Sequence, residues 1–234
     1  MVLSAAPQHV AIHDVPPRRA LRHFHTWLET VGTRLEFSTG EPIRLKNERD
    51  STLCSLERGA ARLRKPGCFP SPQILDFLVP GELFILPTPD SDIMFEALTS
   101  DTMIVRRRDV VLNQSPSSGT VGKLAHDALM ISPANRFQRQ ILILGRPTAS
   151  GRCLAFLLDM AKRLNCCRGT AVVLPICLSD LSAYLAIKPS ELAELLRQLV
   201  ILRAVDFVDR TAVTIIDPVA LRRAAHQDLP VGET

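Results

Sequence analysis

LPICLSDLSAYLAIKPSELAELL, residues 174 to 196, is the stretch whose reading decides the fold. Residues 178 to 186 (LSDLSAYLA) and 189 to 201 (PSELAELLRQLVI) each read as a helix, with a tight turn between them. In the second, Leu192, Leu195, Leu196 and Leu199 recur at i, i+3, i+4 and i+7, the spacing that lines one buried helix face. The opposite face carries Ser190, Glu194 and Arg197, flanked by Glu191 and Ala193, and Lys188 stands at the entrance. Two short strand patterns follow, AVDFV and AVTII, joined at Asp209-Arg210. Helix, turn, helix and β-hairpin together predict a winged helix-turn-helix, whose second helix turns its outward residues to a DNA major groove.

Upstream, Leu154, Leu157, Leu158, Ala161 and Leu164 form one apolar stripe, so a further helix opens this domain after the break at Gly145-Arg146-Pro147. Before that break, Thr120 to Leu144 has helical periodicity through Leu124, Ala128, Ile131 and Leu142, the candidate dimerisation residues. Pro133 interrupts the pattern, leaving either one long imperfect helix or two shorter ones. From about residue 33 to 110 the chain changes character. Apolar stretches of strand length (EPIRL, STLCSLE, AARLR, ILDFL, LFILP, MFEAL, TMIVRR) alternate with turn residues, and Gly40, Gly59, Gly67 and Gly81 mark corners. That is the pattern of an antiparallel β-barrel or jelly roll. Residues 18 to 32 read as a short amphipathic helix behind Pro16-Pro17. The expected division is an arm and short helix at 1–32, a β-barrel at 33–115, a dimerisation helix at 116–144 and the winged domain at 145–234.

Composition allows all of this. At 234 residues, with 46% hydrophobic and 22% charged residues, the chain has material for two ordinary folded domains. No run approaches the ~20 apolar residues of a membrane helix, so a cytoplasmic protein without a membrane partner is expected. Six cysteines (Cys54, Cys68, Cys153, Cys166, Cys167, Cys177) include no CxxC pair of zinc spacing and read as reduced thiols. The formal charge of +4 permits an acidic partner without requiring one.

In order along the chain, four segments resemble the Crp/Fnr regulators, and most closely their FixK-type and Fnr-type branch: LERGAARLRK (Leu56 to Lys65), PQILDFLVPGELF (Pro72 to Phe84), QILILGRPTASGRCLAFLLDMAKRL (Gln140 to Leu164), and the helix-turn-helix stretch itself. The resemblance spans roughly residues 35 to 221. It implies an α+β chain: an N-terminal cyclic-nucleotide-binding-like β-barrel, a long dimerisation helix and a C-terminal winged helix-turn-helix. It also implies a homodimeric, activating transcription regulator that binds a palindromic site in double-stranded promoter DNA and works with RNA polymerase. DNA-binding residues carried over by position are Lys188, Ser190, Glu191, Ala193, Glu194 and Arg197.

Those positions depart from the family pattern. Where the family usually has a base-contacting Glu, Ser and Arg, this chain has Ser190, Ala193 and Glu194. A carboxylate can accept from cytosine N4 but repels phosphates, so the family's usual site sequence is not expected to transfer. Lys188 replaces a frequent Thr or Ser helix cap, and Ala186 a frequent turn glycine. From Arg146 to the end there are 11 basic and 9 acidic residues, a modest attraction for DNA. The alternative reading is a degenerate member without DNA binding of its own, acting through a mixed dimer with a related regulator.

Cyclic AMP is rejected as effector. Gly81, Glu82 and Leu83 are present, but PTPDSDIMFEALTS after them has no Arg, so a phosphate would meet Asp90, Asp92 and Glu96. An iron-sulfur cluster is rejected because no cysteine precedes Cys54, and no other cofactor is expected. His23 and His25 point apart on a helix and read as ordinary histidines rather than metal or haem ligands. Cys177 sits just before the first helix of the helix-turn-helix, as in FixK-type members, and is a candidate redox switch beside its plainer reading as a small apolar residue. An enzyme is not expected: residues 33 to 110 hold no His for a cupin-like metal site, and no GxSxG, P-loop or HExxH occurs.

Overall fold

The structure is a computed structural model that describes residues 8–10, 32–44, 52–67, 73–88, 91–107, 134–167, 169–209 and 212–226. The chain divides into two compact units, one of residues 16–140 and the other of residues 1–15 together with 141–234. The expected helix at 18–32, together with His23, His25 and Cys68, lies outside the described residues. So do Leu124, Ala128 and Ile131.

The first unit contains two four-stranded antiparallel sheets. One has the order β2 (Thr33–Phe37), β9 (Thr102–Arg107), β4 (Thr52–Arg58) and β7 (Leu83–Leu86). The other has the order β3 (Pro42–Ile43), β8 (Met94–Ala97), β5 (Ala61–Lys65) and β6 (Gln73–Leu78). Phe37, Ile43, Cys54, Leu56, Leu78, Phe84, Leu86, Phe95 and Ile104 form one buried cluster drawn from both sheets, the arrangement of a jelly roll. The Phe84 and Phe95 rings stand 4.7 Å apart at its centre.

The corner from β4 to β5 shows why a turn glycine was needed. Gly59 has φ +74, and a Cβ there would lie 2.3 Å from Thr99 Oγ1 and 2.8 Å from Thr102 Cα. Thr102, wholly buried, donates to the Ala60 carbonyl at 3.1 Å, so the two turns are bonded back to back.

One expectation is corrected. Asp92 and Glu96 do not stand without cations, because antiparallel pairing sets β5 beside β8 with Arg62 opposite Glu96. Glu96 takes Arg62 on one oxygen and Arg64 at 2.6 Å on the other, and Lys65 lies 2.5 Å from Asp92. The sequence argument looked only along the segment, whereas the cations come from the neighbouring strand.

A helix, α1, occupies residues 134–144, the end of the expected dimerisation helix. In the second unit, α2 (Ala149–Arg163) starts at Thr148, whose hydroxyl accepts from the Gly151 amide at 3.0 Å. Then follow β10 (Thr170–Leu174), α3 (Leu178–Leu185), α4 (Pro189–Ile201), β11 (Val205–Asp209), β12 (Ala212–Ile215) and α5 (Pro218–His226). The sheet order is β1 (Gln8–Val10), β10, β12, β11, with β1 parallel to β10 and the other pairs antiparallel. Reading turns and helices alone missed β1, β2 and β10. β1 becomes a strand only through a partner 162 residues away in the chain, Gln8 lying opposite Thr170.

Candidate nucleic-acid interface

The helix-turn-helix is built on the buried faces of three helices. Leu192, Leu195, Leu196 and Leu199 of α4 are at most 2% exposed, and Leu181 and Leu185 of α3 are equally enclosed. Phe156 of α2 meets Tyr184 of α3 with ring centroids 5.5 Å apart. Burying a leucine of this kind contributes about 1.5 to 3 kcal/mol, so this stripe fixes which side of α4 faces out.

The turn between α3 and α4 is short and costly. Ala186 takes a left-handed conformation with φ 52 and ψ 49, which a Cβ disfavours by about 1 to 2 kcal/mol. Three side-chain bonds from elsewhere hold it. Arg152 on α2 donates to the Leu185 carbonyl at 2.8 Å and to the Ala186 carbonyl at 3.2 Å, capping the C-terminus of α3. Ser182 donates its hydroxyl to the Ile187 carbonyl at 2.6 Å. Arg152 is the residue that sequence reasoning missed. Its one signal was an arginine amid the apolar residues of GRCLAFLL.

On the outward side of α4, Ser190, Ala193 and Arg197 are exposed, and Glu191 and Glu194 are half-buried. Lys188 is the exposed N-cap residue and makes no side-chain bond to the helix. The helix therefore begins with Pro189 at its first position but with an uncapped turn of amides. Glu194 and Arg197 form a two-pronged pair, Nε to Oε2 at 2.9 Å and Nη2 to Oε1 at 2.7 Å, and Gln198 adds a bond to Oε1 at 3.2 Å. This Arg197 contact holds the Glu194 carboxyl below its ordinary range and the guanidinium above its own. The cation expected on the reading face is thus matched by a carboxylate one turn away, and its two best donors are in use.

The other candidate residues lie elsewhere. Cys177 is the half-buried N-cap of α3, with its sulfur 3.1 Å from Ser179 Oγ. Cys54 and Cys153 are buried, and burial pushes the Cys153 thiol up to about 12. Cys166 is raised to about 11, chiefly by burial, and Cys167 beside it is exposed. Leu142 of α1 is 60% exposed, as are Phe137 (66%) and Ile141 (54%). Among the described residues no three His, Cys, Asp or Glu side chains converge as metal ligands, and no helix is long and apolar enough to cross a membrane.

Comparison with known proteins gives a consistent outline. No protein-family model matches the chain. It is 26% identical over 188 residues to the nitrogen fixation regulation protein FixK of Rhizobium meliloti, covering 80% of this chain and 84% of that one. Among solved structures it superposes on FixK2 from Bradyrhizobium japonicum with a TM-score of 0.67 at 22% identity, over 82% of this chain and 96% of that one. A CRP-family transcriptional regulator from Thermus thermophilus gives a TM-score of 0.57 at 18% identity, over 86% and 100%. The structural likenesses establish a shared fold of barrel, helix and winged domain.

Proposed function

Starting from its membership of the Crp/Fnr family, we propose that this chain is a DNA-binding transcription regulator that acts as a dimer, with α4 of each copy in the major groove of one half of a palindromic promoter site. The observation that carries the reading is α4 itself. Its leucine stripe is wholly inside, and Lys188, Ser190, Glu194 and Arg197, with the small Ala193 among them, form an outward face that the core does not use. Pairing of two copies falls to α1, which leaves Phe137, Ile141 and Leu142 exposed. Two copies so joined put their reading helices about one DNA turn, roughly 34 Å, apart. Activation through RNA polymerase follows the family expectation, and no cofactor is needed for the binding step.

The face specifies an unusual half-site. Glu194 accepts from a cytosine N4 amine, and Arg197, held by Glu194, is presented as part of that unit rather than as a free guanine reader. Selection from random duplexes by the purified, reduced protein is expected to enrich a palindrome with cytosine opposite Glu194, and Glu194→Arg to move that preference to guanine. Absence of any enrichment by the native chain, with enrichment by the variant, overturns the reading in favour of a silent partner in mixed dimers.

A further inference from the structure

Helix α1 is fastened to the barrel by charge. Arg136 Nε stands 3.8 Å from Asp76 Oδ2 on β6, and Arg139 Nη2 stands 3.6 Å from Glu82 Oε1 at the corner between β6 and β7. All four side chains are mostly enclosed, between 15% and 23% exposed, so these pairs are less screened by solvent than surface ion pairs. Each carboxylate is also built into the barrel backbone: Asp76 accepts from the Phe77 amide at 2.8 Å and Glu82 from the Val79 amide at 3.2 Å. The anchors are therefore rigid. Arg136 and Arg139 lie three residues apart on one helix face, and Phe137 lies round the helix from both, 66% exposed. Two anchors one turn apart fix the rotation of a helix about its own axis.

We infer that Asp76 and Glu82 form an electrostatic latch that sets the rotation of α1, so that the chain itself, without a bound effector, presents the Phe137 face for pairing. The inference rests on the dimeric-regulator reading, because it concerns how that dimer is made competent for DNA. Glu82 stands next to Gly81 at the corner between β6 and β7. Here it is engaged by the chain's own guanidinium. The Asp76→Asn/Glu82→Gln variant removes both charges and keeps an oxygen to accept from Phe77 and Val79, so the corner geometry survives.

The test compares native protein, that double variant, Glu82→Gln alone, and the charge swap Glu82→Arg with Arg139→Glu, all as full chains. Hydrogen exchange at residues 134–140 and affinity for the selected duplex are read without any added ligand. The amide variant is expected to exchange about tenfold faster over 134–140 and to bind DNA about tenfold more weakly, with unchanged exchange in β4 and β9. The swap gives up the Val79 bond but restores the ion pair, and is expected to exchange about threefold more slowly than Glu82→Gln alone, which a merely space-filling role would not produce. Unchanged exchange in the amide variant, or a swap that exchanges as fast as Glu82→Gln alone, overturns the latch. If the native chain binds no duplex, the regulator reading fails, and the exchange comparison still decides the latch.

Discussion

In the barrel, the described backbone positions with positive φ are glycines: Gly40, Gly59, Gly67 and Gly81. In the winged unit only Gly169 is, and Asn165, Ala186 and Arg203 adopt the same left-handed region with side chains attached. The barrel obeys local turn chemistry, so its corners are stable in their own right. The helix-turn-helix violates it and is held from outside, by the leucine stripe and by Arg152. The contrast teaches that the helix-turn-helix is kept in shape by packing while its local sequence departs from the pattern of the family it resembles, both in the turn and on the outward face of α4.

The largest effect expected from breaking this contrast is in the barrel. Gly59→Ala must place a Cβ 2.3 Å from Thr99 Oγ1 and 2.8 Å from the Thr102 backbone, in a conformation that L residues resist. Backbone strain and overpacking together should cost about 3 to 4 kcal/mol, enough to unfold the unit at moderate temperature. Calorimetry would show the barrel transition lost or lowered by many degrees. An unshifted transition would mean that the corner opens freely, contrary to the bonds of Thr102.

Next comes the external support of the turn. Arg152→Ala removes the charge-assisted bonds to the Leu185 and Ala186 carbonyls and a weaker one to Arg146 at 3.3 Å. The expected destabilisation of the winged unit is about 2 to 3 kcal/mol, read from the denaturant midpoint. Arg152→Lys should recover only part of it, because an ammonium cannot span two carbonyls as a planar fork does. Recovery equal to native would show that positive charge at the α3 C-terminus, not geometry, is what matters.

What could be read from sequence follows the same divide. The glycine corners, the strand-length apolar stretches and the spacing of Leu192, Leu195, Leu196 and Leu199 are local signals, and each led to the element found. The Arg152 clamp joins residues 33 and 34 positions apart, and β1 pairs with β10 across 162, so no short window along the chain contains either. The Arg62 and Arg64 contacts to Glu96 were likewise hidden by looking along a strand rather than across it. The Glu194–Arg197 pair is different, since its i, i+3 spacing was visible. Its consequence for the reading face needed the two-pronged geometry, which uses the guanidinium donors that a guanine would take.

A smaller effect, and one of opposite sign, should come from restoring the local rule. Ala186→Gly removes the Cβ penalty of the left-handed turn but adds chain entropy to the unfolded state, leaving a net gain of about 0.5 to 1 kcal/mol. The winged transition should rise by a few degrees with DNA affinity unchanged. A loss of stability would mean that the Ala186 methyl makes contacts outweighing its strain.

The smallest change separates stability from function most cleanly. Lys188 is the N-cap of α4 but gives its amides no acceptor, and Lys188→Ser supplies a hydroxyl for the amide two or three residues on. The winged unit should gain about 0.5 to 1 kcal/mol. Lys188 is also an exposed cation at the N-terminus of α4, and under the proposed DNA-binding mode, where it meets a phosphate, the same substitution should weaken duplex binding and lower the salt-dependence slope by about one. Opposite signs in the two measurements would show that the missing cap is the cost of a phosphate contact. A gain in stability with an unchanged slope would remove Lys188 from the interface and leave its departure from the family pattern as drift that the leucine core can bear.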